Sequence, residues 1–257
     1  MTVVACNDYQ KVLKSPNPEY KYKRAVEYYQ AEEYYKALPL LEELMPLYKG
    51  TDKGQEIYFY WCYANYHLDE LITASYHFKK YAKTYPNSEQ AEEALFMGAY
   101  CNYLDSPNPT LDQTATIMAI DEMQVFVNTF PKSDLVDSAN TLVDELELKL
   151  ETKDFLNCKQ YYTIRRYKSA IVAINNTMQA YPASRYEEEM RMLILKSYYE
   201  LAINSVESKK EERFDKGIEV YYEFIDNFAE SDKMNEAESI YAKLVKAKTD
   251  YLKEKQK

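Results

Sequence analysis

Apolar residues recur along most of the chain at the three- and four-residue spacing of an amphipathic α-helix. In the stretch ELITASYHFKKYAKTYP at 70–86, Ala74, Phe78 and Tyr81 fall on one helical face and polar residues cover the other. Five stretches share this arrangement of a small residue followed by apolar residues, and the small residue lets a second helix approach closely. Each stretch therefore predicts one member of a packed helix pair. The small residues are Ala37, Ala74, Ala119, Ala170 and Gly217.

Another amphipathic stretch precedes each of these helices, so the pattern predicts five helix pairs. The loop DSPNPTLDQT at 105–114 interrupts the third pair, and the segment 133–164 contains no helix breaker. We therefore expect one long helix there, joining an N-terminal half to a C-terminal half. The predicted pairs are 19–33 with 34–48, 57–68 with 70–86, 94–104 with 116–131, 151–164 with 166–182, and 187–206 with 213–229.

A short phrase recurs between the pairs, reading aromatic residue, Pro or Ala, any residue, then Ser. Its four copies are TYPNSEQ at 84–90, TFPKSDL at 129–135, AYPASRY at 180–186 and NFAESDK at 227–233. Proline cannot continue a helix, and serine is a preferred N-cap, so the phrase predicts a helix end followed by a helix start. Ser184 with Glu187 has the spacing of a capping box. The predicted N-caps are Ser88, Ser133, Ser184 and Ser231.

These repeats resemble the tetratricopeptide repeat, a helix–turn–helix unit that closes on proline. The predicted fold is all-α, a right-handed superhelical solenoid of about five tetratricopeptide-like helix pairs. The predicted organisation has a lipobox remnant and linker at 1–18, N-terminal repeats at 19–132, and the long connecting helix with C-terminal repeats at 133–257.

Composition supports this fold and disfavours several classes of function. Only four glycines among 257 residues disfavour tight hairpins and phosphate-binding loops. A formal net charge of −10 disfavours a nucleic-acid partner, because a protein that binds nucleic acid requires a basic face. The lysine-rich segment 243–257 is interpreted as a frayed, solvated helix end in preference to a patch that binds a membrane surface or a partner. The 28 tyrosines suit half-buried helix faces and interaction surfaces.

Catalytic and metal-binding motifs are missing from the sequence, so we expect no enzyme activity, metal or cofactor. His67 and His77 do not lie at metal-ligand spacing with a cysteine, and no catalytic partner for them is identifiable. Cys62, Cys101 and Cys158 fall among apolar residues and are predicted to lie in the core. No run of 18 apolar residues predicts a transmembrane helix.

Recognition is the expected activity, because helical solenoids of this kind bind peptides on the concave face that the first helices line. Tyrosines of the first helices that do not point at the second helix are candidate anchors. Packing between adjacent repeats is the alternative, and it is favoured for any single tyrosine. As a group they are predicted to form a groove for an extended or hydrophobic peptide. The candidates are Tyr22, Tyr29, Tyr63, Tyr66 and Tyr103.

The order of features along the whole chain resembles the BamD family, the tetratricopeptide lipoproteins of the outer-membrane β-barrel assembly machinery, in the form of Bacteroides-type bacteria. Cys6 is followed by about ten polar residues, then by the five repeats with their aromatic-Pro-x-Ser phrases and the insertion in the third. The stretches CNDYQKVLKS, LLEELMPLYKGTDK and YLDSPNPTLDQT carry the resemblance.

The resemblance implies that Cys6 is the lipid-bearing cysteine of a protein on the periplasmic face of the outer membrane, with Val3, Val4 and Ala5 ending a lipobox. No charged or apolar signal region precedes Cys6, so the polypeptide as printed is expected to stay soluble. The resemblance also implies an assembly factor. Its C-terminal repeats would bind the BamA-like Omp85 barrel protein, and its N-terminal repeats would bind unfolded outer-membrane protein precursors. The resemblance does not identify the residues that make either contact.

Three other classes compete with this interpretation. A periplasmic tetratricopeptide adaptor of a division complex typically carries a coiled coil, and the sequence has no sustained heptads. A SusD-like glycan-uptake lipoprotein is about twice this length. An enzyme built on a helical toroid needs convergent acids or metal ligands. The sequence leaves the oligomeric state and the precursor specificity open.

Overall fold

The fold is taken from a computed structural model, which describes the backbone of residues 3–256 and the side chains of residues 8–256. The described residues form twelve helices and no strand, so the all-α prediction is confirmed. The helices are α1 (Val3–Leu13), α2 (Pro18–Gln30), α3 (Tyr34–Leu44), α4 (Asp52–His67), α5 (Leu71–Thr84), α6 (Ala91–Asp105), α7 (Thr114–Thr129), α8 (Val136–Thr163), α9 (Tyr167–Ala180), α10 (Glu187–Ile203), α11 (Glu207–Asn227) and α12 (Met234–Lys255).

Ten of these helices, α2 to α11, form the predicted pairs in order, beginning with α2 and α3. Their cores contain the residues that the periodicity selects. All five small anchor residues are buried, as are Leu41, Phe78, Met123 and Phe224 on the same helical faces. A Cβ atom on Gly217 would lie 3.0 Å from the Leu244 Cδ1, which explains why the smallest residue occupies that anchor.

Both ends of the chain differ from the prediction. The linker predicted at 1–18 contains α1, whose Val12 is buried and whose Tyr9 hydroxyl donates to the Lys36 carbonyl at 3.2 Å. The predicted frayed end belongs to α12, which buries Ile240 and Leu244. The prediction of a frayed end relied on the many lysines of this segment. Its apolar residues nevertheless recur at helical spacing, and the lysines cover only the outer face of the helix.

The chain divides into two compact units between Glu147 and Leu148, which we call unit 1 and unit 2. The division lies inside α8, the longest helix. In unit 1, Ala139 of α8 packs with Met123 and Phe126 of α7. In unit 2, the later part of α8 packs with α9 and α10. Each part of α8 therefore belongs to a separate core. The domain boundaries predicted at 18/19 and 132/133 stay predictions.

The four phrase serines lie before their helices rather than at the N-caps, so the capping prediction is wrong. Lys233, for example, is the N-cap of α12, two residues after Ser231. The backbone N–H of each serine donates to the carbonyl of the aromatic residue three positions earlier, as in Ser231 to Phe228 at 3.0 Å. The phrase thus forms a turn, and the helix begins only after it.

Three phrase serines connect neighbouring repeats instead. The hydroxyls of Ser133, Ser184 and Ser231 donate to glutamates that lie 41, 33 and 43 residues earlier. The same hydroxyls accept from the backbone N–H two residues later. The proposed capping box is also absent, because the Glu187 carboxylate accepts from the Arg191 side chain. The glutamates are Glu92, Glu151 and Glu188.

Candidate functional site

The five candidate tyrosines lie on the first helices of the three pairs of unit 1, and all are half-buried. Tyr22 and Tyr29 are on α2, Tyr63 and Tyr66 on α4, and Tyr103 on α6. Their helix faces follow from spacing, since residues three, four or seven positions apart share a face. The structure places all five within one described unit.

Three of the tyrosine hydroxyls bind glutamates on the first helix of the next repeat. Tyr22 of α2 donates to Glu56 of α4 at 2.6 Å. Tyr63 of α4 donates in the same way to Glu93 of α6, and Tyr103 of α6 donates to Glu145 of α8. We call these contacts the tyrosine–glutamate bonds. They repeat with the helix pairs and hold neighbouring repeats together.

The pKa values of these three tyrosines lie above the ordinary value of 10, so their hydroxyls are protonated near neutral pH. Hydrogen bonding to Glu145, together with burial, raises the pKa of Tyr103 to about 12. Burial is the main cause for Tyr22 and Tyr63, and the neighbouring glutamate raises the pKa of each further. A ligand at this surface would therefore meet neutral aromatic rings and carboxylates.

Ring contacts link the tyrosines across the three helices. The Tyr29 ring lies 4.6 Å from the Tyr60 ring, centroid to centroid. Farther along, Tyr66 lies 6.2 Å from Tyr63 and 6.4 Å from Tyr100, and the Tyr100 and Tyr103 rings stack at 5.7 Å. We call these rings, together with Tyr22, which binds Glu56 of the next repeat, the tyrosine surface. Its members are Tyr22, Tyr29, Tyr60, Tyr63, Tyr66, Tyr100 and Tyr103.

Two members of the tyrosine surface, Tyr60 and Tyr100, were not among the predicted residues. Each precedes a predicted tyrosine by three positions, which is the spacing that could have identified it. The glutamate partners carried no comparable signal, because they lie 34, 30 and 42 residues from their tyrosines.

Both histidines make structural contacts in unit 1. His67 stacks on Tyr34 with ring centroids 4.2 Å apart, and the Nδ1 of His77 shares a 2.9 Å hydrogen bond with the Tyr58 hydroxyl. Burial lowers the pKa of both histidines. Within the described part of the chain, no three His, Cys, Asp or Glu side chains converge as a metal site would require.

The cysteines fall into two groups. Cys62, Cys101 and Cys158 are buried free thiols, as predicted, and burial raises the pKa of each. Such thiols are poor nucleophiles because little thiolate forms. The Cys6 side chain lies outside the described side chains, so its lipidation stays a prediction. Among residues 3–256, no helix combines the length and apolar character needed to cross a bilayer.

Comparison with known families identifies the family of this chain. The YfiO family, described as "Outer membrane lipoprotein", matches residues 15–214, from just before α2 into α11. No curated protein matches the chain. The family match covers far more than half of the sequence and includes the whole tyrosine surface. The chain therefore belongs to the YfiO family of outer membrane lipoproteins, the BamD type with tetratricopeptide-like helix pairs.

Proposed function

We propose that this protein is an outer-membrane protein assembly factor, a lipid-anchored periplasmic scaffold. In this role it binds the barrel-forming BamA-like Omp85 subunit and unfolded β-barrel precursors, and promotes insertion of the precursors. The observation that carries the proposal is the outer membrane lipoprotein family match over residues 15–214. Cys6 is the proposed lipid attachment site, and the acyl chains on it would hold the scaffold at the membrane.

The proposed precursor-binding site is the tyrosine surface of unit 1. A β-barrel strand alternates apolar and polar side chains, so one face of an extended precursor presents an apolar residue at every second position. The rings of Tyr29, Tyr66 and Tyr103 offer apolar contact along the three helices α2, α4 and α6. Half-buried rings are already held in place by their neighbours, so binding would cost them little conformational entropy.

The glutamates add a polar component to this surface. Each carboxylate that accepts from a tyrosine can also accept from a peptide N–H, because a carboxylate has about four acceptor positions. Glu56 and Glu93 are exposed, so both can reach a bound segment. The surface therefore favours neutral or basic extended segments over acidic ones.

Unit 2 is the proposed site for the Omp85-type subunit, as the family resemblance implies. Among its described residues, Val172, Val206 and Tyr222 are large apolar side chains with exposed fractions of 59%, 70% and 48%. Such residues are compatible with a protein interface.

A peptide-binding measurement tests the precursor site. The probe is a labelled twelve-residue peptide of alternating apolar and polar residues, and fluorescence anisotropy reports its binding to the full chain. We expect the double substitution Tyr29→Ala and Tyr66→Ala to weaken binding by about tenfold or more, since aromatic anchors dominate such interfaces.

The matched control is Tyr35→Ala, which removes a tyrosine that is 62% exposed and lies outside the tyrosine surface. Circular dichroism checks that each variant folds. Equal binding by the double variant and the control would exclude the tyrosine surface as the precursor site. Equally tight binding of a peptide with the same residues in a non-alternating order would exclude recognition of strand-like segments.

A further inference from the structure

Unit 1 contains a cavity that shares no residue with the tyrosine surface. It is an open cavity of about 480 Å³, within the range of small-molecule sites. The end of α3 and the loop after it, α4 and α5 form its walls. Met45, Pro46, Tyr58 and Tyr85 give it a largely apolar lining.

The charged groups of this cavity are all cationic. Lys49 and Lys80 line it, and no carboxylate is among its described lining residues. Five other lysines of unit 1 pair with carboxylates, as Lys36 does with Glu33 at 2.6 Å. In the described part of the chain neither Lys49 nor Lys80 forms an ion pair, and the Lys80 ammonium lies only near the Tyr76 ring, at 5.8 Å. In a chain of net charge −10, two unpaired lysines at one apolar cavity favour an anionic ligand.

The polar groups of the cavity favour a ligand with a single polar end. The Tyr58 hydroxyl is bound to His77, and the Thr84 hydroxyl donates to the Lys80 carbonyl at 2.7 Å. The remaining side-chain donors are the lysine ammonium groups, the Tyr85 hydroxyl and one N–H or O–H of the His77–Tyr58 pair, and no side-chain amide lines the cavity. A peptide bound here would find few side-chain partners for its amide groups. A hydrocarbon chain with an anionic head has no such groups.

We propose that this cavity binds an anionic amphiphile, with the alkyl chain against Met45, Pro46 and Tyr85 and the carboxylate or phosphate head between Lys49 and Lys80. The recognised feature is an alkyl chain with an anionic head, which fatty acids and phospholipids share. This proposal does not rest on the assembly function, and it gives unit 1 a direct contact with lipid that is separate from the Cys6 anchor.

Titration of the full chain with short amphiphiles below their micelle concentrations tests the proposal. The probes are dodecyl phosphate and laurate, with inorganic phosphate and a neutral dodecyl maltoside as controls. Trp61, the only tryptophan in the sequence, reports binding by fluorescence, because its ring lies 4.5 Å from the His77 ring at the cavity. Calorimetry gives the stoichiometry. We expect saturable one-to-one binding of an anionic amphiphile, at least about tenfold tighter than binding of either control.

Substitution of the lysines locates the site. Lys49→Gln combined with Lys80→Gln is expected to weaken binding about tenfold or more, because it removes both cationic donors. Lys83→Gln, an exposed position on α5 outside the lining, is the matched control and should leave affinity unchanged. Both lysines of the cavity are exposed, so the variants are expected to fold, and circular dichroism checks this.

The results distinguish the two ligand sources, and some results would contradict the proposal. Binding of dodecyl phosphate alone points to a phospholipid head, and binding of laurate alone points to a fatty acid. Equal binding of the neutral maltoside, or equal loss in the Lys83→Gln control, would overturn the proposal. So would tighter binding of a peptide with a free carboxyl terminus than of either amphiphile.

Discussion

At the scale of single residues, the tyrosine hydroxyls of unit 1 have a structural role as well as a proposed role in binding. Tyr63 illustrates both, because its ring lies 5.0 Å from the Phe78 ring and its hydroxyl donates to Glu93. The ring contributes to the core between repeats, and the hydroxyl fixes the neighbouring helix. Removing the hydroxyl separates these two contributions.

We predict that Tyr63→Phe lowers the free energy of unfolding by about 1–2 kcal/mol, since a hydrogen bond to a carboxylate is lost while the ring remains. Urea denaturation measures the change. Tyr20→Phe is the matched control, because Tyr20 is 43% exposed and makes no described side-chain hydrogen bond. A loss as large in the control as in Tyr63→Phe would show that the Glu93 contact does not contribute.

The histidines predict a dependence of stability on pH. Burial lowers the pKa of His67 and His77 below the ordinary value of 6.5, so the unfolded chain binds protons more readily. Stability is therefore expected to fall as the pH decreases from about 7.5 to about 5.5. The shifted carboxylates, Glu19, Glu188 and Glu212, have lowered pKa values and titrate below this range.

Urea denaturation at both pH values checks this expectation. The double variant His67→Gln and His77→Gln should show a smaller difference in the free energy of unfolding between the two pH values than the unsubstituted chain. An unsubstituted chain that is equally stable at both pH values, or more stable at the lower one, would contradict the lowered pKa values of the two histidines.

At the scale of helices and turns, the aromatic-Pro-x-Ser phrase has a different function from the one its residues predict. Proline and the aromatic residue end the helix as expected, but the serine lies in a turn and binds the preceding repeat. Ser231 both donates to Glu188 and accepts from the Lys233 N–H. Lys233 also pairs with Glu188 at 2.7 Å. One turn thus connects α12 to α10.

We predict that Ser231→Ala lowers the free energy of unfolding by about 1–2 kcal/mol, because the Glu188 carboxylate and the Lys233 N–H each lose a partner. Ser208→Ala, at an exposed position in the first turn of α11, is the control and should change stability by less than about 0.5 kcal/mol. If Ser231→Ala unfolds at the same urea concentration as the control, the serine contact is dispensable.

At the scale of the whole molecule, periodicity predicts the helix pairs well because each pair buries its own apolar face. Ala74 and Phe78 are buried because they lie on the apolar face of their helix. The periodicity that creates this face also identifies them in the sequence. Contacts between repeats are less predictable, since the tyrosine–glutamate and serine–glutamate bonds depend on the register of helices that are distant in sequence. The rings of the candidate site could be proposed from sequence, but their glutamate partners could not.

Co-purification from the outer membrane tests the central claim, that this protein is a lipid-anchored assembly scaffold, most directly. The chain is expressed behind a lipoprotein signal peptide in a host of the native type, and mass spectrometry identifies proteins that remain bound after detergent extraction. Cys6→Ala is the matched variant. We predict that an Omp85-type barrel protein co-purifies with the unsubstituted chain and that Cys6→Ala leaves the membrane fraction. Co-purification of a division protein or a glycan transporter in its place would contradict the assembly function.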